Sequence, residues 1–436
     1  MSDRDDVRAL ARPLRDAGDL DPLLERIGGA RIVLLGEASH GTHEYYAWRT
    51  AITRRLVEEL GFSFVAVEGD WPDCHRLHCS VTLAAPGLEP REALRGYERW
   101  PTWMWANEQV AELTRWLREH NAGVDPEARV GFHGLDVYSL WDSLRAILGY
   151  LEEHEPSAVG AALEAFRCFE PYAEDPQEYA RATWLVPTSC EAAVVDVLRA
   201  LREAPAPADG GPARDAAFVA EQNALVAAGA EAYYRAMVHG GPESWNVRDT
   251  HMVDTLDRLL DHYDGWLGEG RARAVVWEHN THVGDARFTD MRDAGMVNVG
   301  QLARERHGEA DVVIVGFGSH HGSVVAGDSW GAPTQRMPLP PARGGSAEAL
   351  LHDAVPDATA LFVVPHAAPD WLVRELPHRA VGVVYRPHAE RWGNYVPTVL
   401  GRRYDAFCWF DESRALSPLG GTHPLGNEME TFPSGG

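Results

Sequence analysis

Short, continuous runs of branched apolar residues recur along the chain and are separated by segments with helical periodicity. The runs cover residues 31–36, 64–67, 130–133, 273–277 and 311–316. Uninterrupted Val, Ile and Leu stretches of this length are typical of parallel strands covered on both faces. Helical patterns at residues 7–27 and 42–60 alternate with the first runs, which indicates βαβ units. The pattern predicts an α/β fold with a central, mostly parallel sheet flanked by helices.

The middle of the chain lacks strand patterns. From residue 140 to about residue 267, segments rich in Ala, Leu, Glu and Arg have helical periodicity and are broken by prolines. Apolar runs return at residues 312–315, 360–364, 381–385 and 407–410. We therefore expect residues 1–139 and 271–436 to form the two parts of one α/β core. Residues 140–270, called here the helical insertion, are expected to cover the carboxyl edge of the strands.

Ionisable residues directly follow several of the predicted strands. They are Glu37, His40, Glu68, Asp136, Glu278, His279 and His282. The carboxyl ends of parallel strands meet at one edge of a sheet, and ligands bind in the crevice beyond that edge. Any one of these residues taken alone could be a helix cap or a solvated loop charge. Their shared placement predicts a functional site.

The turn after the first predicted strand is Gly36-Glu37-Ala38-Ser39-His40-Gly41. Its two glycines permit a sharp passage from strand to helix, and Glu37 and His40 can both project into the crevice. Imidazole is suited to proton transfer near neutral pH, and a neighbouring carboxylate can fix its tautomer. We interpret His40 as a candidate base and Glu37 as the group that orients it.

Composition narrows the classes of partner. The chain has 436 residues, with 40 Lys and Arg against 65 Asp and Glu, and its formal net charge is -25. This charge repels nucleic acid and anionic membrane surfaces. The chain has no apolar run long enough to cross a bilayer, and its start lacks the pattern of a secretory signal. We expect neither nucleic acid nor a membrane as a partner, and a cytoplasmic location.

The cysteine pattern agrees with that location. Five cysteines are scattered along the chain without a Cys-x-x-Cys pair. This spacing fits neither a disulfide framework nor a thiolate zinc site, so a reducing compartment is expected.

Three short motif matches lack the context that their chemistry requires. The G-x-S-x-G match around Ser329 is followed by Ala332-Pro333, where no helix can start, so Ser329 is not expected to be a nucleophile. The stretch at residues 316–322 approaches a dinucleotide fingerprint, but its third glycine is one place late, and we expect a turn there. His43-Glu44 lacks the second histidine of a zinc-protease helix. No cofactor is predicted.

Six motifs, in order, resemble those of the erythromycin esterase family. They are residues 36–44 (GEASHGTHE), 67–72 (VEGDWP), 134–139 (GLDVYS), 279–287 (HNTHVGDAR), 316–322 (GFGSHHG) and 404–416 (YDAFCWFDESRAL). The resemblance spans nearly the whole chain. It implies metal-independent hydrolysis by water in a deep acidic cleft, acting on a small-molecule ester such as a macrolide.

The resemblance also implies roles for individual residues. The essential histidine of the family matches His40, and its preceding glutamate matches Glu37. The helix arginine falls on Arg49, the second-strand glutamate on Glu68, and two later histidines on His279 and His282. Glu278 departs from the small residue usual in the family before His-Asn, and its charge affects the protonation of His279.

Ester cleavage by water needs a base, a group facing the oxyanion and an acid for the leaving alkoxide. His40 with Glu37 would be the base, and Glu68 would position the water. Arg49 or a protonated His279 would face the oxyanion. Ser39 is a rival nucleophile, although adjacent residues of a turn point apart.

Two further classes of function stay open. In the first, a hydrolase would use Glu37, Glu68 and the histidines to hold Zn²⁺ or Mn²⁺ and form a hydroxide nucleophile. In the second, an acidic crevice would bind a cationic small molecule without turning it over. The aromatic residues Trp71, Trp100, Trp103 and Trp105 would suit that binding role. The oligomeric state is not predicted.

Overall fold

The computed structural model describes residues 2–172, 176–185, 189–203, 212–267 and 271–420. Within these ranges the strands are β1 (Arg12–Pro13), β2 (Ile32–Leu35), β3 (Phe64–Asp70), β4 (Gly131–Asp136), β5 (Ala274–Trp277), β6 (Val312–Ala326), β7 (Gln335–Leu339), β8 (Thr359–Val363), β9 (Leu376–Arg379), β10 (Tyr395–Thr398) and β11 (Ala406–Ser413). The helices are α1 (Asp3–Leu10), α2 (Asp21–Ile27), α3 (His43–Leu60), α4 (Trp71–Val81), α5 (Pro90–Arg95), α6 (Glu108–Asn121), α7 (Leu140–His154), α8 (Val159–Phe169), α9 (Pro176–Leu185), α10 (Glu191–Glu203), α11 (Pro212–Met237), α12 (Glu243–Leu267), α13 (Asn280–Val283), α14 (Val299–His307), α15 (Ala347–Ala354), α16 (Asp370–Val373), α17 (Glu390–Gly393) and α18 (Leu400–Arg403). Short 3-10 turns lie at Ala17–Leu20, Thr102–Met104, Pro126–Ala128, Pro156–Ala158, Glu170–Tyr172, Ala286–Phe288 and Asp290–Arg292.

The central sheet has the strand order β1-β8-β11-β6-β2-β5-β3-β4, with β7 paired to the far end of β6. All neighbours from β11 to β4 run parallel, whereas β1, β8 and β7 pair antiparallel. This confirms the predicted α/β class with a mostly parallel sheet. Because β2, β3, β4 and β5 run in the same direction, the residues at their carboxyl ends meet at one edge.

Alternating residues of the central strands enter two different cores. Val33, Leu35, Val65 and Trp277 face one side with α3 and α6, while Ile32 and Leu34 face the other with α12, α14 and α15. Both faces are covered, so every residue of β2 and β5 is buried. This burial explains why these strands consist of continuous apolar residues.

The segment from α7 to α12 contains helices and no strand among its described residues. Helices α7 to α11 pack around an apolar cluster of their own, which includes Leu144, Ile147, Phe169 and Tyr233. Of the described helices, none combines the length and the apolar character needed to cross a bilayer.

Cys168 and Cys190 form a disulfide between the end of α8 and the residue before α10. The expectation that the cysteines stay unpaired is therefore wrong for this pair. A sequence separation of 22 residues leaves no local spacing signal by which the pairing could have been recognised. Disulfides are rare in reducing compartments, so the cysteines no longer support a cytoplasmic location.

Three local predictions are corrected by the structure. Residues 7–27 form two helices separated by the edge strand β1 and a 3-10 turn. Residues 381–385 make only isolated bridges, Val381 to Ser39 and Val384 to Gly327, because no neighbouring strand continues the pairing. The turn expected at residues 316–322 is part of β6, since backbone hydrogen bonds to β11 and β7 extend that strand to Ala326.

Candidate active site

A buried chain of charged groups lies behind His40. Glu37 is 1% exposed, and its Oε1 lies 2.9 Å from His40 Nδ1. Its Oε2 accepts a 2.8 Å hydrogen bond from Arg49 Nη2. The Arg49 guanidinium lies over the rings of Tyr46 and Trp277, 4.2 and 4.6 Å from their centroids. Arg49 is fully buried, so it orients Glu37 and does not face the oxyanion as the sequence analysis expected.

The turn that carries Glu37 and His40 requires its two glycines for close packing. A Cβ on Gly36 would lie 2.0 Å from Asn280 Oδ1, and one on Gly41 would lie 1.9 Å from the carbonyl oxygen of Val325. Neither glycine has a left-handed φ. The turn is therefore pressed against β6 and α13, which fixes His40 relative to the residues that follow β5.

His279 packs beside His40 in the cleft lining, with 4.8 Å between the ring centroids. Its Nδ1 accepts a hydrogen bond from the backbone N–H of Thr281, which places the ring proton on Nε2. The ring also contacts the backbone of Ala38. Burial, together with the nearby His40, holds the pKa of His279 well below its usual range. His279 is thus a neutral N–H donor, which corrects the expectation of a protonated ring.

Glu68 connects His279 to an arginine of the helical insertion. Its Oε2 accepts the backbone N–H of His279 at 2.9 Å, and its Oε1 accepts Arg248 Nη2 at 2.8 Å. Arg248 also binds Asp136 through two hydrogen bonds, one donated by Nε at 2.9 Å and one by Nη2 at 2.7 Å. Burial alone would raise the pKa of Glu68, but the neighbouring His282, His40 and Arg248 hold it well below the usual value.

His282 is held by a second residue of the insertion. Both oxygens of Asp249 lie 3.0 Å from its Nδ1, and its Nε2 lies 3.4 Å from Glu68 Oε1. The ring stacks on Trp245 at 4.4 Å. Burial opposes protonation, yet Asp249 and Glu68 outweigh it and raise the pKa of His282 to about 10. His282 therefore carries a positive charge at neutral pH, although Nε2 is also 3.2 Å from Arg248 Nη1.

Two carboxyl groups near the site differ from ordinary acids. Glu278 is fully buried, and neither of its oxygens has a hydrogen-bond partner among the described residues. Burial, with Glu68 and Asp249 nearby, raises its pKa well above the usual range, so it is protonated. Burial and the neighbouring Asp70 and Asp142 raise the pKa of Asp73, a residue of the cleft wall, to about 7.

The cleft around these groups has a volume of about 210 Å³. Its floor includes His40, Glu68, Asp136, His279 and His282. Its walls come from residues 97–105, from the segment 380–396 and from Trp330, whereas the helical insertion adds Trp245 and Arg248. Asp70 is bound by Arg99, and Asp136 by Arg248, so arginines balance much of the acidic charge that was expected there.

The structure brings the six predicted site residues together in two layers. His40, Glu68, His279 and His282 line the cleft, while Glu37 and Arg49 lie behind His40. Sequence reasoning missed Arg248 and Asp249, which no local motif distinguishes from the other charges of α12. Arg248 and Asp249 contact residues that are far from them in the sequence, as Arg248 does with Glu68.

The alternative readings of the sequence find less support in these contacts. The hydroxyl of Ser39 is hydrogen-bonded to Thr42, and Ser39 is not part of the cleft lining. Trp71 and Trp103 are core residues, so the four tryptophans do not form one aromatic cage. Among the described residues, the Glu and His donor atoms of the cleft do not converge on one metal position. The arginine Arg248 lies among them.

The chain is an α/β protein in which histidines and carboxylates gather at the carboxyl edge of a mostly parallel sheet. The erythromycin esterase family model matches residues 57–413, and the chain belongs to this family. The match begins after Glu37, His40 and Arg49, so their family roles rest on the motif around them. Family membership makes the protein a hydrolase of the esterase type.

Known proteins similar to this chain cover most of its length. YbfO of Bacillus subtilis (strain 168), provisionally named a hydrolase, is 22% identical over 421 residues, which cover 90% of this chain and 86% of YbfO. The crystal structure of a succinoglycan biosynthesis protein has a TM-score of 0.76 at 20% identity and covers 96% of this chain and 98% of its own. A mutant of erythromycin esterase EreC in its open conformation has a TM-score of 0.67 at 16% identity. The match covers 94% of this chain and 97% of the EreC chain. At these identities the structural likeness concerns the fold.

Proposed function

We propose that this protein hydrolyses a carboxylic ester by direct attack of a water molecule that His40 activates. The observation that carries the proposal is the contact, in the cleft lining, between two imidazoles that have different hydrogen-bond partners. His40 is oriented through Nδ1 by Glu37, and His279 carries its ring proton on Nε2. One ring is arranged to accept a proton and the other to donate a hydrogen bond.

The reaction can be followed atom by atom. Because Glu37 engages Nδ1 of His40, Nε2 is the nitrogen that takes a proton from water as the water oxygen attacks the ester carbonyl. The oxyanion accepts a hydrogen bond from His279 Nε2–H. The His40 proton then passes to the leaving alkoxide, and an acid and an alcohol are released. Proton transfer of this kind contributes about 10²–10⁴-fold in rate, and one oxyanion donor about 10²–10³-fold.

The remaining charges hold this arrangement in place. Glu68 fixes the backbone of His279 through its N–H, and Arg248 in turn fixes Glu68. The protonated His282 and Arg248 are held beside the cleft by Asp249, Glu68 and Asp136. In a buried site such fixed charges act strongly, because they need no reorientation during the reaction.

The size of the cleft bears on the substrate. Its volume of about 210 Å³ lies below the roughly 300–1,000 Å³ of pockets that enclose drug-sized ligands. We therefore propose that the ester-bearing edge of the substrate enters the cleft. A compact ester would fit largely inside, whereas most of a macrolide ring would remain outside.

The test is incubation of the purified protein with a panel of compact aryl and alkyl esters and of macrolides, read by mass spectrometry for the gain of one water molecule. We expect turnover of at least one ester, and its loss in His40→Asn. Ser39→Ala should keep the activity, because Ser39 is bonded to Thr42 and not to His40. Dialysis against a chelator should also leave it intact.

Other outcomes would contradict specific parts of the proposal. An acyl group trapped on Ser39 would make that serine the nucleophile. Activity lost on chelation and restored by Zn²⁺ would favour metal-bound hydroxide. Absence of turnover with every ester, combined with His40-independent binding of a cationic ligand, would favour a binding function.

A further inference from the structure

A second group of potential ligands lies outside the cleft, at the end of the sheet where β6 and β11 pair. It consists of His320 on β6, Asp411 on β11 and His352 on α15, and is called here the distal cluster. One ring nitrogen of each histidine and one carboxylate oxygen of Asp411 all lie within 4.8 Å of one another. None of the three residues lines the cleft, and the proposed ester hydrolysis uses none of them.

The distal cluster is partly assembled already. His352 Nδ1 lies 2.7 Å from Asp411 Oδ1, and the other oxygen of Asp411 accepts the backbone N–H of Asp357 at 2.9 Å. The His320 and His352 rings stack with centroids 3.8 Å apart. A third histidine, His321, approaches His320 with 3.2 Å between their Nδ1 atoms.

We propose that His320, His352 and Asp411 bind a divalent transition metal ion, with Zn²⁺ the best match. Two imidazoles and one carboxylate are a donor set that suits Zn²⁺. The hydrogen bond from Asp357 to Asp411 is the kind of outer contact that orients a ligating carboxylate. A fourth position would be filled by water or by His321.

Closing around an ion requires a modest movement. Zinc bonds of about 2.0–2.1 Å place neighbouring ligand atoms of a tetrahedral site about 3.3 Å apart. His320 and Asp411 are held by the paired strands and are 8% and 3% exposed. The His352 side chain is 34% exposed and can rotate from its stacked position. The metal would then join α15 to both strands.

The test is isothermal titration of Zn²⁺ into the untagged full-length protein after treatment with a chelator and buffer exchange. We expect about one equivalent to bind with a dissociation constant in the micromolar range or tighter. His352→Gln should weaken binding at least tenfold, and because this side chain is partly exposed the variant should fold. His320→Asn should have the same effect, with circular dichroism as the check on folding.

Matched variants locate the ion. His388→Asn changes an exposed histidine outside the cluster and should bind Zn²⁺ like the parent. His40→Asn removes a cleft histidine and should also leave binding unchanged. Zinc should raise the melting temperature of the parent but not of His352→Gln.

Two results would overturn the proposal. The first is the absence of stoichiometric binding to the parent, which would leave the cluster as a structural contact between α15 and β11. The second is binding that survives both cluster substitutions. If that binding were lost in His40→Asn, the ion would belong to the cleft.

Discussion

Two groups of histidines in this protein differ in the groups that their rings contact. The cleft histidines are His40, His279 and His282. The stacked histidines are His75, His78 and His133, which line a separate cavity of about 620 Å³ between α4, α11 and α12. His78 and His133 have ring centroids 4.5 Å apart, and His75 and His78 are 5.8 Å apart.

The difference between the groups lies in their hydrogen-bond partners. His40 and His282 contact carboxylates directly. The partners of the stacked histidines are a tyrosine hydroxyl, a thiol and a backbone N–H. Burial lowers the pKa of His75 to about 4 and that of His78 to about 3, whereas Asp249 and Glu68 overcome burial at His282. Burial alone therefore yields neutral imidazoles, and carboxylate partners are what raise the pKa at His282.

The largest expected effect is on kcat, which should fall when a cleft histidine is replaced and stay unchanged when a stacked histidine is replaced. His40→Asn should lower kcat by about 10²–10⁴-fold, because the base that accepts the proton of water is removed. His75→Asn, a matched change among the stacked histidines, should keep kcat within about twofold. Steady-state kinetics on the best ester of the panel, with circular dichroism as a control, measures both. Equal losses in the two variants would show that the comparison does not separate catalysis from folding.

A smaller effect is expected when a cleft histidine is given the surroundings of a stacked one. Asp249→Asn removes the charge 3.0 Å from His282 Nδ1, so the ring should lose its proton near neutral pH. We expect kcat to fall about 10²-fold, since fixed positive charge near the oxyanion is lost. Histidine-selective NMR titration should show the pKa of His282 decreasing. A pKa that stays high would assign the charge of His282 to Glu68.

Stability should depend on pH in opposite directions for His282 and for the stacked histidines His75 and His78. The folded pKa values of His75 and His78 lie below the ordinary histidine value of about 6.5, so their contribution is complete above pH 6.5 and is lost as pH falls toward 4 and 3. The folded pKa of His282 is raised, so its contribution is complete below pH 6.5 and is lost as pH rises toward 10. Each pKa unit corresponds to about 1.4 kcal/mol.

Urea unfolding at a series of pH values measures how the free energy of unfolding changes with pH on the acidic and on the alkaline side. The double variant His75→Asn/His78→Asn should flatten the acidic side, and Asp249→Asn should flatten the alkaline side. If each variant changed the other side of the profile, the assignments would be reversed.

The smallest effect is expected at Glu278. Its pKa is raised well above the usual range by burial, so the side chain is neutral, and Glu278→Gln replaces it with a neutral group of nearly the same shape. We expect kcat and its pH profile to stay within about twofold of the parent. A tenfold loss would mean that Glu278 is ionised during turnover and influences His279, as the sequence analysis considered.

The sequence predicts the sheet well where burial on both faces forces continuous apolar strands, as at β2 and β5. It fails where pairing depends on distant partners. Residues 381–385 have the composition of a strand but pair only at Val381 and Val384, and the glycine-histidine stretch after Val315 continues β6 because β11 and β7 flank it.

The site was predictable to a similar extent. His40, Glu68, His279 and His282 could be found because the ends of parallel strands must converge. Arg248 and Asp249 could not, since a helix rich in charges gives no sign of which ones turn inward. The pairing of Cys168 with Cys190 depends in the same way on how α8 and α10 pack.

The positions of Arg248 and Asp249 on α12 have a consequence for engineering. The helical insertion supplies ion-pair partners of Glu68, Asp136 and His282, so it contributes to the candidate active site itself. If this segment were replaced by that of a homologue to alter substrate range, the residues that bind Glu68, Asp136 and His282 would be replaced as well. A chimera would keep its turnover only if an arginine and an aspartate arrive in the same register at the start of the grafted helix.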